Sequence, residues 1–467
     1  MIPTFDVVVI GAGPAGIQAA LVADKLGLRV LIVDEQAEPG GQIYRNVMRV
    51  STKMSQVLGS DYIRGRQLAQ SLIRSRVERY FETSVWDISP SSVITLLTNG
   101  TTRSVQARQI IAATGALERA SPIPGWTLPG VLSAGAAQVA MKSDAAIPSG
   151  RIAVAGCGPL MILVANQLLA SGGNVVALID SAPAQNKREA LRHLPAALRA
   201  PSYLVKGLQM MARLRGHRVP VFKTASELQV LGDERVTGIR FRSKGSSHEI
   251  DADVILLHHG VIPNHQISML MRAKHRWNPQ QRAWAVDHDL YGQTSHPKFR
   301  VAGDGLSISG ARAAECTGAL AALGAAHAIG VITLDQLRKD SKPWRKALTK
   351  QMAVRPFIES LFRPPDWVCA PDDHIVVCRC EVVSAGEIRH MADIGCTGPN
   401  QTKFFSRCGM GPCQGRICGS VVTQIISERL NRSPDDVGAY RIRPPLKPLV
   451  LSAIARCTDN GENSNSI

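Results

Sequence analysis

Cysteine and glycine carry the chemistry that can be read in this chain. Seven of its ten cysteines, Cys369, Cys378, Cys380, Cys396, Cys408, Cys413 and Cys418, fall between positions 369 and 418. A disulfide framework usually spreads across a secreted fold, whereas local crowding points to metal or cluster ligation. Cys378 and Cys380 form a C-x-C pair after the strand-like run HIVV, and Cys413 and Cys418 form a C-x4-C pair after Gly409-Met410-Gly411-Pro412. Four thiolates from two such pairs can converge on one site, and all-sulfur ligation suits an iron–sulfur cluster or zinc. Zinc sites more often use C-x2-C pairs, which weighs toward the cluster. Cys408 is separated from Cys413 by four residues and competes with the later pair.

The glycines mark a second chemistry. Asp6–Ile10 is a short β-branched run, read as a buried parallel strand. Gly11-Ala12-Gly13-Pro14-Ala15-Gly16 follows, then a helical pattern to about Leu26, a strand Arg29–Val33, and the acids Asp34 and Glu35. This is the order a dinucleotide site requires: Gly11 for the turn, Gly13 for close approach of backbone to pyrophosphate, and Gly16 for helix–strand packing. The helix start then faces the phosphates, with Asp34 placed to accept from the ribose. The pattern recurs at Arg151–Ala155, Gly156-Cys157-Gly158, a helix to about Ser171 and a strand Val175–Ile179 ending at Asp180. There Met161 replaces the third glycine, and its side chain is expected to press on the strand and displace the helix start. Asp180 would suit NADH better than NADPH. This second unit therefore reads either as a nicotinamide site or as a vestigial structural fold.

The elements that must position these groups fit an ordinary globular chain of 467 residues, 45% hydrophobic and 19% charged, long enough for two to four domains. The balance of 54 Lys+Arg against 37 Asp+Glu gives +17, which could meet nucleic acid, an anionic substrate or an acidic partner. Scattered arginines and 4% aromatic residues count against nucleic acid. The N-terminus has no signal-like n-region, and the longest apolar stretch, Ala319 to Leu334, is interrupted by His327, so a cytoplasmic chain with no transmembrane segment is expected. Ser384 to Glu387 reads as a capping box opening a helix. His258 and His259 sit at a strand end, where a structural role is expected.

Gly40-Gly41-Gln42, Ala113-Thr114-Gly115 and Val301-Ala302-Gly303-Asp304-Gly305 complete a set with the first turn. The set resembles the two-dinucleotide-binding-domain flavoproteins, an α/β class with two Rossmann-like units. The resemblance implies FAD held by Gly11, Gly13, Pro14, Ala15, Gly16, Asp34 and Glu35. It adds Gly41, Gln42, Arg45, Thr114, Gly115 and Gly303, with Asp304 at the ribitol. No cysteine pair stands beside Gly41, which excludes the disulfide-reductase chemistry of that architecture.

The cysteine-rich segment resembles the BFD-like [2Fe-2S] domain, which implies Cys378, Cys380, Cys413 and Cys418 as ligands, with Cys408 beside them. Its glycines would let backbone N–H groups approach the sulfurs. Nearly the whole chain resembles the α subunits of multi-subunit FAD/[2Fe-2S] amine dehydrogenases, a group spanning octopine and nopaline oxidases, D-hydroxyproline dehydrogenase and hydrogen cyanide synthase. The resemblance implies an FAD domain at 1–120 and 285–335, an inserted NAD(P)-like Rossmann domain at 121–284 and a connector at 336–371. A cluster domain at 372–432 and a tail at 433–467 complete the chain. The same resemblance implies a flavoprotein β subunit of amine-oxidase type that oxidises the C–N bond. A further candidate partner is a small third subunit, and an electron acceptor completes the set. FAD takes electrons in pairs and the cluster passes them singly, so such a chain would relay electrons from an opine or imino acid. The alternatives are a hydrogen cyanide synthase subunit that uses glycine and a stand-alone NAD(P)H-dependent flavin/iron–sulfur reductase. No proton-abstracting residue is identified.

Overall fold

The computed structural model describes residues 2–459. The run DVVVI forms the strand Thr4–Ile10, in which Val7, Val8 and Val9 are fully buried, as expected of a parallel strand covered on both faces. It pairs in parallel with Val30–Val33 on one side and with Thr101–Ala112 on the other. The far half of Thr101–Ala112 also takes Phe299–Val301 in parallel, so the first sheet recruits a strand from much later in the chain. Helix Pro14–Lys25 packs on helix Ala311–Ala328 at close range, because a Cβ on Gly318 would come within 2.0 Å of the Ala15 carbonyl oxygen.

The second sheet is parallel, in the order Val221–Lys223, Asn174–Asp180, Arg151–Gly156, Val254–His258, Val131–Ser133. Its helix Pro159–Ala170 starts directly after Gly158, in the same register as Pro14 after Gly13. The displaced helix start expected from Met161 is therefore corrected. The turn absorbs the difference instead, with Gly158 at φ 139° where Gly13 is at −77°. Met161 is buried in a cluster with Val164, Met141 and Tyr44. Strands Ala116–Glu118 and Val261–Pro263, paired antiparallel, carry the chain between the two units.

The cysteine-rich unit is a short ribbon, Val376–Cys378 with Val383–Ser384, followed by helices Ala385–Asp393, Pro399–Ser406 and Gly419–Leu430. The capping box forms: Ser384 Oγ accepts from Glu387 N at 3.2 Å, and Glu387 accepts from Ser384 N at 2.8 Å. Trp126 Nε1 donates to Val376 O at 2.7 Å and joins this unit to the body. The tail docks on the first unit, where Leu446 N donates to Trp86 O at 2.8 Å and Thr102 Oγ1 to Ala453 O at 2.6 Å. Residues 460–467 of the tail lie outside the described residues. Among those described, no helix is long and apolar enough to cross a membrane.

Candidate functional site

The first turn is a cradle built from backbone. Gly11, Gly13, Gly41, Thr114, Gly115 and Asp304 form a half-exposed strip, whereas the strands beneath are buried. Its glycines are sterically fixed. Gly11 has φ +104° and a Cβ there would lie 2.4 Å from Ala113 O, while one on Gly16 would lie 1.8 Å from Gly11 O. Gly41 passes so close to Gly13 that a Cβ on it would sit 2.8 Å from the Gly13 Cα. Asp34 braces the turn from behind, accepting from Ala12 N at 2.5 Å and from Gln36 N at 2.8 Å. Burial raises its pKa, opposed by those two backbone hydrogen bonds.

Arg45 donates to Gln36 Oε1 at 2.6 Å and to Gln42 Oε1 at 3.3 Å, tying the acid's loop to the Gly41 turn. Thr114 Oγ1 donates to Asn264 O at 3.0 Å. Gly303 N donates to Thr317 Oγ1 at 2.9 Å, and Asp304 Oδ1 accepts from Ser309 N at 2.9 Å and Gly310 N at 3.1 Å. Pro14 and Ala15 open the helix over this strip. Glu35 is partnered by Lys447 of the tail. Lys447 gave no sign of this in the sequence, since the two residues are far apart in the chain. This set of close backbone approaches and two fixed carboxylates, Asp34 and Asp304, matches the needs of a dinucleotide.

The thiols gather from separate elements. Cys378 ends a strand, Cys408 follows the helix Pro399–Ser406, and Cys418 caps the helix Gly419–Leu430. Their sulfurs all lie within 4.8 Å of one another and all three residues are buried. Cys380 and Cys413 hydrogen-bond to each other nearer the surface. Cys408, which the resemblance had set beside the ligands, is thus one of the three thiols brought closest together.

Three sulfurs so close cannot all ionise. Hydrogen bonds from Cys408 and Cys418 hold Cys378 far below the usual thiol range, while the shared contact with Cys378 pushes Cys408 up to about 12. A bound cation removes that conflict, so the donor set suits a metal centre. The glycines here serve two ends. Gly411 admits Cys380, whose Cβ lies 2.2 Å from a Cβ built at that glycine. Gly409 and Gly415 instead make room for the Tyr440 ring, which would meet a Cβ there at 2.7 and 2.6 Å. Tyr440 Oη donates to Cys408 O at 2.9 Å and covers the thiol loop from the tail. Nothing in the sequence marked Tyr440. Cys369 and Cys396 stand outside the group, and the nine cysteines whose side chains are described are all free.

His258 and His259 are both buried and hydrogen-bonded, His258 Nδ1 to Glu118 at 2.6 Å and His259 Nδ1 to Ser121 Oγ at 2.7 Å. Burial, helped by His258 and Arg119, pushes the His259 pKa down to about 3. These bonds tie both histidines into the fold.

A half-open dinucleotide turn in a two-unit α/β body defines a flavoprotein oxidoreductase. The chain belongs to the family described as Pyridine nucleotide-disulphide oxidoreductase, which matches residues 5–330 and implies FAD, and within it to the opine oxidase A subunits. It is 40% identical to the A subunit of opine oxidase from Rhizobium meliloti, covering 97% of this chain and 87% of that protein. Hydrogen cyanide synthase subunit HcnB of Pseudomonas protegens is 28% identical, over 96% of each chain. Residues 376–457 match the Sarcosine oxidase A3 domain. The fold is shared with L-proline dehydrogenase from P. horikoshii, with TM-score 0.69 and 19% identity over 97% of this chain and 80% of that one.

Proposed function

We propose that this chain is the FAD- and [2Fe-2S]-containing α subunit of an opine or imino-acid dehydrogenase complex, of the octopine, nopaline or D-hydroxyproline type. It relays electrons from amine oxidation on a flavoprotein β subunit to an acceptor. The observation that carries the reading is the end-to-end 40% identity to the A chain of an opine oxidase. In this reading residues 1–120 and 285–335 form the FAD domain and 121–284 the inserted one. Residues 336–371 connect to a cluster domain at 372–432, and 433–467 are the tail.

The first turn would present the backbone of Gly11, Gly13, Pro14, Ala15 and Gly16 to the pyrophosphate, with Asp34 accepting from the ribose. Asp304, its Oδ1 held by Ser309 and Gly310, keeps Oδ2 to accept from the ribitol. Gly41, Gln42, Arg45, Thr114 and Gly115 would line the flavin, and Glu35 stays with the tail lysine. When bound, FAD supplies two-electron chemistry and the cluster one-electron transfer. Cys378, Cys380, Cys413 and Cys418 remain the ligand set the resemblance implies, and the geometry adds Cys408 as a ligand candidate. Cys408→Ser is expected to lose most of the visible absorbance of the cluster while keeping the flavin. Retention of both would return Cys408 to a place beside the centre.

The test is to purify the tagged chain from its native host and identify what accompanies it. Octopine, nopaline, D-hydroxyproline and glycine are then added anaerobically. A second flavoprotein chain and flavin bleaching by an opine or imino acid are expected. Bleaching by glycine with release of cyanide would favour the second reading, for which the full-length match to HcnB speaks. A solitary chain inert to every amine would overturn both.

A further inference from the structure

A Rossmann crevice lies outside the carboxyl ends of its strands, framed by the glycine turn, the acid ending the second strand, and the end of the neighbouring strand across the switch point. In the second unit these are Gly156–Pro159, Asp180–Ser181 and His258–Gly260. The chain's own later segment, residues 355–369, touches the first, the third and the helix that follows the second. Cys157 Sγ, in the turn, lies 3.6 Å from Phe362 O. Asn186, just past the acid, donates to Arg363 O at 2.9 Å and to Leu361 O at 3.4 Å. The Trp367 ring meets His259 edge-on at 5.3 Å.

The segment is pinned from the other side as well. Asp366 pairs with Arg282, and Glu359 accepts from Gln281 Nε2 at 3.1 Å. Beneath it, Arg119 donates to the carbonyl oxygens of His259, Gln281 and Arg282. Gly156, Cys157 and Gly158 are all buried, the two glycines against His258 and Cys157 beneath Phe362, where their counterparts Gly11 and Gly13 are half-exposed. The space left beside Asn186, Arg363 and Asp366 is about 80 Å³. Ligand pockets for organic molecules run from about 300 Å³ upward, so this space is too small for a nucleotide.

We propose that residues 355–369 sit in the second crevice in place of a nicotinamide nucleotide. The second Rossmann unit is then a socket that fixes the connector, and with it the thiol-bearing unit, against the body. This goes beyond the identity of the amine and does not rest on it.

Hydrogen–deuterium exchange on the holoprotein tests the proposal, with NADH, NADPH or NAD⁺ raised to about 1 mM, the upper end of ordinary KM values. Residues 355–369 are expected to exchange slowly, to stay unchanged at every nucleotide concentration, and the flavin to stay oxidised. A saturable change at 355–369 or at 156–181, or bleaching by NADH or NADPH, would overturn it by making the segment a displaceable lid or showing a second route in. The double variant N186A/W367A should exchange faster across 355–369 with its flavin spectrum intact. Unchanged exchange there would also overturn the proposal. Loss of amine oxidation with slow exchange kept at 355–369 would instead sink the functional reading alone.

Discussion

The two Rossmann turns of this molecule start from nearly the same sequence and end in opposite states. Gly11 and Gly13 lie on a half-exposed strip, whereas Gly156 to Gly158 are buried, with Cys157 under a segment from about two hundred residues further on. Glycine at the third position lets helix and strand touch at Gly16. At Met161 the same helix start survives because Gly156 and Gly158 take φ 137° and 139°. A nucleotide fold thus needs more than its glycines to be a nucleotide site, because what covers the crevice decides whether it is open.

Three substitutions test that contrast, from the largest effect to the smallest. Gly16→Val places side-chain carbon against the Gly11 carbonyl, a clash of backbone that cannot relax. The purified variant is expected to lose flavin almost completely, read as the ratio of visible to protein absorbance. Full flavin occupancy would break the comparison at its stronger end. Met161→Ala at the equivalent position removes a buried side chain and is expected to cost about 2–5 kcal/mol in a denaturant melt. Its flavin should stay, and NADH should still fail to reduce it, because the crevice is closed from outside. Reduction by NADH would make Met161 alone the cause of closure.

The smallest effect concerns pH. His259 beneath the sealing segment and His265 are each held down to about 3 by burial, first of all causes. The unfolded chain takes up these protons from about pH 6.5 downward, while the folded one does not until about pH 3. Each histidine therefore stabilises above about pH 6.5, and that contribution is lost as pH falls, by up to about 1.4 kcal/mol per unit. The melting temperature should drop between pH 7 and 5, and His259→Gln should flatten the drop. An equal slope in the variant would remove His259 from this role.

Much of the first site was legible because it is local. The strand, turn, helix and acid from Thr4 to Asp34 obey sterics that short sequence spacing encodes. The capping box at Ser384 and the strand-end position of His258 were readable for the same reason. What was hidden is contact between distant segments. Phe362 over Cys157, Lys447 on Glu35 and Tyr440 on the glycines of the thiol loop pair residues whose types alone name no partner. Cys408 escaped because two C-x4-C spacings overlap at Cys413, and only folding brings Cys408 against Cys378 and Cys418.

The most direct test is one anaerobic comparison on the complex as it purifies, recording flavin absorbance and the electron spin resonance of the cluster after NADH and after an opine. The account predicts that the opine bleaches the flavin and produces a reduced-cluster signal, and that NADH does neither. Rapid reduction of both centres by NADH, with no response to any opine, imino acid or glycine, would contradict it.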